Sequence, residues 1–160
     1  MEKIIFTPIG LIHSPFIEKS DMPIQSAGAT NITGTAEIYE EFVAGLQDLD
    51  GFSHIILLYH LHRVEGYSLT VKPFMDDNTH GLFSTRAPRR PNPIGLSVVR
   101  LHTIEGNILY LENLDMLDGS PLLDIKPFIP DVDCVKATDI GWLTSKSDKF
   151  TEARSDKRFS

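Results

Sequence analysis

Cysteine is nearly absent from this chain: Cys134 is the only one among 160 residues. That excludes an intrachain disulfide framework and a zinc site built on cysteines. No apolar run approaches the ~20 residues that a membrane-spanning helix needs. The opening residues, MEKIIFTPIGLIHSP, lack the long apolar core and cleavage site of a secretory signal. A globular protein of the cytoplasm is therefore the expectation. Basic residues are also few, 15 against 22 acidic ones, for a formal charge of −7. Such a balance argues against gripping nucleic acid with the whole surface. Internal repeats and low-complexity tracts are missing too.

What is present is concentrated in one segment. Residues 84–97 read STRAPRRPNPIGLS, with Pro88, Pro91 and Pro93 interleaved with Arg86, Arg89 and Arg90. Each proline fixes its own φ and pushes the preceding residue toward extended geometry. A loop stiffened in this way loses little entropy on holding a ligand, and Gly95 permits close backbone approach. The arginines supply forked, permanently charged donors suited to carboxylate or phosphate. With Arg100 they form a local basic patch in an otherwise acidic sequence. The segment reads as a prebuilt anion- or nucleotide-holding loop, although the same composition also suits a plain solvated connection.

Apolar content of 41% suffices for one core. Residues 1–135 are expected to form a single domain, and residues 136–160 a polar tail, helical or packed on that domain. Short extended segments dominate. Residues 4–13 suit an edge or bulged strand, interrupted by Pro8 and Gly10. Residues 14–33 read as a long loop and 34–39 as a strand. Residues 40–49 carry Phe42, Val43, Leu46 and Leu49 at helical spacing, which predicts a helix of two or three turns. Residues 52–64 are the strongest core strand. Strands are further expected over 68–74, 95–104, 108–114 and 122–129, with 81–84 and 95–104 flanking the Arg/Pro loop, a hairpin signal at Gly106-Asn107 and a further turn at Asp118-Gly119. So many short strands with one or two short helices predict a mainly β fold, a small antiparallel barrel.

Three further groups can carry chemistry. Asp115, Asp118 and Asp124 lie close in sequence to Lys126, and alternation places Asp124, Lys126 and Phe128 on one face with Ile125 on the other. An Asp–Lys surface pair is the plainer reading of that group. His54, His60 and His62 share a strand face, but no recognised metal-ligand spacing is met, and no metal is expected. The loop containing Gln25, Ser26 and Ala27 offers polar edges and small residues that let backbone approach a ligand.

Taken in order, IGLIHSPF, PIQ, GLQDLDGFSHIILLYHLH, GLFSTRAPRRPNPIGLSVVRL and DMLDGSPLLDIKPFIP resemble the TsaA-like family, whose characterised members are TrmO-type tRNA methyltransferases. The resemblance spans about residues 5–130. It implies a small β-barrel that binds S-adenosylmethionine without a Rossmann fold, in keeping with the lack of a GxGxxG after a strand. It also implies a homodimer with the cofactor near the subunit interface. The implied substrate is the threonylcarbamoyl-modified adenosine beside the anticodon of tRNA, methylated on its 6-amino nitrogen. Carried over by motif, cofactor contacts come from Gln25, Ser26 and Ala27, from Arg63 and Val64, and from Arg86 and Val98. Leu114, Asp115, Met116 and Leu117 complete that set.

In this reading Asp124 accepts the proton of the 6-amino nitrogen, and Lys126 or Arg86 holds the threonyl carboxylate. Asn92 orients the base, and Arg86, Arg89 and Arg90 meet the substrate's charged groups. Where the family usually has tyrosine after DIKP, this chain has Phe128. The C-terminal domain of the bacterial long form has no counterpart in the motifs seen here. A small-molecule methyltransferase, a non-catalytic cofactor-binding protein and a metal-dependent hydrolase on the same barrel stand as alternatives.

Overall fold

Alternation of apolar and polar residues builds eight strands: β1 (Gly10–His13), β2 (Thr33–Ile38), β3 (His54–His60), β4 (Thr70–Val71), β5 (His80–Gly81), β6 (Ile94–Glu105), β7 (Ile108–Glu112) and β8 (Ser120–Pro127). The structure is a computed structural model, which describes residues 3–18, 22–23, 28–74 and 76–144. Six strands close a barrel in the order β1-β2-β7-β6-β3-β8, and β4 and β5 form a separate two-stranded ribbon. Every neighbouring pair in the barrel is antiparallel. The expected mainly β barrel is therefore what the chain forms, and closure removes the exposed edges an open sheet would present.

The core is drawn from one face of each strand. In β3, Ile55, Leu57 and Tyr59 point inward while His54, Ile56, Leu58 and His60 point out. Opposite them Val99 and Leu101 of β6, Leu109 and Leu111 of β7, and Ile12, Ala36, Ile38 and Leu122 fill the barrel. Two register shifts re-phase the alternation. One lies in β6 between Leu101 and Thr103, after which Ile104 packs inward. The other lies in β8, where Leu58 faces Asp124 but Tyr59 faces Leu122. Past that bulge Ile125 packs on the core, and Asp124 and Lys126 turn outward together.

Several elements differ from the sequence expectation. Residues 40–49 form no α-helix. They make 3₁₀ turns, Glu40–Leu46 and Leu49–Gly51, joined through Asp48 at φ 63°. Phe42, Val43, Leu46 and Leu49 still pack on the core, now from tight turns. Residues 4–13 supply no edge strand: only Gly10–His13 pair, and they pair on both sides, with β2 and β8. Pro8, which has no N–H for a ladder, stays outside. The strand expected over 68–74 shrinks to β4, which pairs with β5, and a 3₁₀ turn follows at Leu82–Ser84. A short helix, Pro130–Asp133, follows β8, and the described part of the tail holds a turn, Gly141–Leu143. Among the described residues no helix is long and apolar enough to cross a membrane.

Gly95 sits directly opposite Tyr59, and a Cβ at this position would fall into the tyrosine ring. Glycine here is a packing requirement, since φ is ordinary. Replacing Gly95 with Ala is expected to destabilise the fold by about 1–3 kcal/mol, read as a lower denaturant midpoint with unchanged m.

Candidate functional site

In a barrel of alternately antiparallel strands, connections fall at opposite ends in turn. Here three gather at one end: residues 14–32 between β1 and β2, 61–93 between β3 and β6, and 113–119 between β7 and β8. Residues at these loops carry most of the candidate site, which is how chain positions far apart in sequence become neighbours.

Hydrogen bonds tie the loops to one another. Ser14 N–H donates to Asp118 Oδ1 at 3.1 Å, and Ser14 Oγ donates to the Met116 carbonyl at 2.6 Å. Asp118 N–H returns a bond to the Phe16 carbonyl at 2.8 Å. Arg63 donates from Nη1 to the Ile17 carbonyl at 2.6 Å, so this arginine braces the 14–18 segment. Leu61 N–H donates to the Pro93 carbonyl at 2.8 Å, joining the end of β3 to the Arg/Pro loop. Within that loop, Arg90 Nη1 donates to the carbonyls of Thr85 and Ala87, at 3.0 and 3.3 Å.

Beneath the loops runs a buried polar chain that sequence reading missed. Ser97 Oγ donates to Asp115 Oδ1 at 2.6 Å, and the Tyr59 hydroxyl lies 3.1 Å from Ser97 Oγ. Because the serine hydrogen goes to the carboxylate, Tyr59 must donate to Ser97. Burial, reinforced by the Asp115 charge and opposed by the Ser97 bond, pushes the Tyr59 hydroxyl pKa far up, so it stays a donor. The chain holds Asp115 in one orientation at the loop end. Its trace in the sequence is a serine at an inward position of β6, in line with Val99 and Leu101.

The expected site residues sort into two places. Arg63, Val64, Arg86, Arg89, Arg90, Asn92 and Leu114–Leu117 belong to the loop end. Within that set Leu114 and Met116 are core side chains, leaving only their backbone for a ligand. Asp124, Lys126 and Val98 stand instead on the barrel's outer wall. There Asp124 faces Leu58, which faces Leu96, and Lys126 faces Ile56, which faces Val98. Lys126 Nζ lies 2.8 Å from Asp124 Oδ2, both half-exposed, so the plain surface-pair geometry is the one observed. Gln25, Ser26 and Ala27 lie outside the described residues.

The three histidines do not share a face as the sequence implied. His54 and His60 point out from β3, whereas His62 lies beyond the strand, its Nδ1 3.4 Å from Ser120 Oγ. Among the described residues no cluster of three or more His, Cys, Asp or Glu could hold a metal. Burial, then the nearby Arg63 and His60, lower the His62 pKa below 6.5, against weaker upward pulls from a backbone bond and Asp118. Its charged form is thus disfavoured by folding. The stability this contributes is present above the ordinary histidine range and is lost as pH falls through the lowered folded pKa. NMR titration should place the His62 midpoint below that of a model histidine, and His62→Gln should reduce the loss of stability on acidification.

Comparison with known proteins gives this geometry a family. Residues 11–134 match the family described as the tRNA-methyltransferase O N-terminal domain. A Pyrococcus abyssi protein named as a probable S-adenosyl-L-methionine-binding protein is 53% identical over 98% of this chain and 85% of its own length. A mouse protein named tRNA (adenine(37)-N6)-methyltransferase is 35% identical over 81% of this chain, and only 32% of its own length is covered. The crystal structure of TrmO from Pseudomonas aeruginosa superposes with a TM-score of 0.74 at 38% identity, over 88% of this chain. This chain spans 63% of that solved chain. The protein belongs to the tRNA-methyltransferase O N-terminal domain family.

Proposed function

We propose that this protein is an S-adenosylmethionine-dependent tRNA methyltransferase, and that it methylates the 6-amino nitrogen of threonylcarbamoyladenosine beside the anticodon. The observation that carries the reading is the convergence of three loops, one of them proline-braced and arginine-rich, over a carboxylate fixed by Tyr59 and Ser97. The donor set suits the cofactor. Asp115 offers an oriented anion to amino or hydroxyl groups, and Arg86 offers a cation to a carboxylate. Half-buried Leu117 and the Met116 backbone would line the apolar part. When bound, S-adenosylmethionine supplies a methyl group activated on a sulfonium.

This chain's own contribution is alignment and proton management. A carbamoylated 6-amino nitrogen is a poor nucleophile, because its lone pair is delocalised into ring and carbonyl. Asp124 accepts the proton that this nitrogen sheds. Lys126 or Arg86 holds the threonyl carboxylate, and Asn92 orients the base. Asp124 and Lys126 stand on an outer wall that is unusually apolar, with Ile56, Leu58 and Val98 partly covered and Leu96 57% exposed. A barrel strand in water normally turns polar residues outward, so this wall supports a homodimer. A second copy packed there would put Asp124 and Lys126 at the seam, where the partner's loop end can meet them, and the cofactor would lie near the interface.

Mass spectrometry of modified tRNA incubated with the protein and labelled cofactor should show a methyl on the threonylcarbamoyl nucleoside. Cofactor binding with no methyl on any nucleoside would support a binding protein instead. Asp124→Asn should lower kcat by roughly 10²–10⁴ with cofactor affinity kept. Survival of turnover would remove Asp124 from the mechanism. Because few arginines face the RNA, the tRNA dissociation constant should rise with salt along a shallow slope.

A further inference from the structure

Phe83 has no place in the reading above, and its setting is unusual. It is an aromatic side chain 75% exposed, in the middle of the 3₁₀ turn Leu82–Ser84, just before the Arg/Pro loop. An isolated exposed phenylalanine on a mobile loop would need no account. This one is on a turn braced from several directions. Thr85 Oγ1 donates to the Leu82 carbonyl at 2.8 Å, and Ser84 Oγ to the Gly81 carbonyl at 2.8 Å. The Trp142 indole N–H reaches across from the tail to the Ser84 carbonyl at 2.8 Å. Trp142 in turn stacks on His80 at 4.4 Å between ring centroids, and His80 Nε2 lies 3.1 Å from Asp76 Oδ2. Leu82 itself is buried with Val71 and Ala87 in a small cluster of its own. The fold thus fixes the backbone on both sides of Phe83 and leaves the ring in solvent.

The ring is also paired with the right chemistry. The Arg90 guanidinium lies over it, 5.8 Å from the ring centroid. Arg90 is itself held by the Thr85 and Ala87 carbonyls, so the pair is preorganised. Phe83, Arg90, Pro91 and Asn92 line an open cavity of about 250 Å³. An aromatic face, a guanidinium plane, a rigid proline and a side-chain amide are what an unstacked base meets in single-strand recognition. The arginine at its wall, in the arginine-rich segment of an otherwise acidic chain, favours an anion-bearing planar group over a neutral apolar one.

We infer that Phe83 is a stacking platform for an unpaired nucleobase of the RNA, with Arg90 covering the base or its phosphate. The inference rests on the tRNA reading above and deepens it. When the target leaves the loop, the adjoining base loses a stacking partner, and the Phe83 ring can replace it.

The test uses full-length Phe83→Ala, Phe83→Leu and Phe83→Trp. For each, the Kd of a synthetic anticodon stem-loop bearing threonylcarbamoyladenosine is measured, with KM for whole tRNA and Kd for S-adenosylmethionine. Phe83→Ala should raise the RNA Kd and the tRNA KM about ten-fold or more, with cofactor Kd and thermal midpoint unchanged. Phe83→Leu, apolar but without a π-face, should fail in the same way, and Phe83→Trp should recover most of the affinity. RNA affinity unchanged in Phe83→Ala, with methyl transfer intact, would overturn the platform and leave the methyltransferase standing. Full affinity in Phe83→Leu would reduce the contact to apolar packing and also overturn it. A parent protein with neither RNA affinity nor methyl transfer would overturn both.

Discussion

Closure of the barrel between its first and last strands is the constraint on which the rest depends. The seam is short: Gly10 faces Leu122, Leu11 faces Pro121 and Ile12 faces Ser120, with Ile9 N–H donating to the Leu122 carbonyl at 2.8 Å just beyond. Without it β1 and β8 would be open edges, and the hydrophobic interior would face water along a full strand length. With it, alternating strand direction gathers the β1–β2, β3–β6 and β7–β8 connections around one closed rim. The loop site is thus a consequence of topology, because no single segment of the chain contains it.

Two bulges then decide which side chains that topology displays. Strict alternation through β8 would set Asp124 on the same face as Leu122, inside the barrel. The extra residue at Leu123 turns Asp124 and Lys126 outward and Ile125 inward. A buried ion pair there would carry a large desolvation cost, whereas on the wall the pair is solvated and available. The same logic runs in reverse for Asp115. Its carboxylate is only partly exposed and is stabilised by the hydroxyl of Ser97, itself backed by Tyr59. Gly95 completes this arrangement, since the tyrosine ring occupies the space its side chain would need.

Much of this was legible beforehand where local chemistry is strong. Periodicity located β2, β3, β6, β7 and β8 to within a few residues, and Gly106-Asn107 marked its hairpin turn. Legibility failed where tertiary packing outvotes propensity. Phe42, Val43, Leu46 and Leu49 have helical spacing, yet they reach the core from two 3₁₀ turns joined through Asp48 in the left-handed region. Trp142 sits in a polar tail with no periodic signal, and its bonds to Ser84 and His80 come from chain returning over some sixty residues. Phe83 could not be told from a core aromatic by pattern, because exposure is a property of the folded surface.

By itself the sequence determined the fold class, the stiffness of the Arg/Pro loop and the motifs that mark the family. These depend on local terms: alternation, proline φ restriction and residue chemistry at fixed spacing. The tertiary structure alone decided that Ser97 and Tyr59 support Asp115, that Asp124 and Lys126 stand on the wall, and that Phe83 is held out beside Arg90. Those relations join residues distant along the chain, and their positions follow from strand register and closure. Register depends on the summed packing of all six strands, and so it is settled only when the barrel is complete.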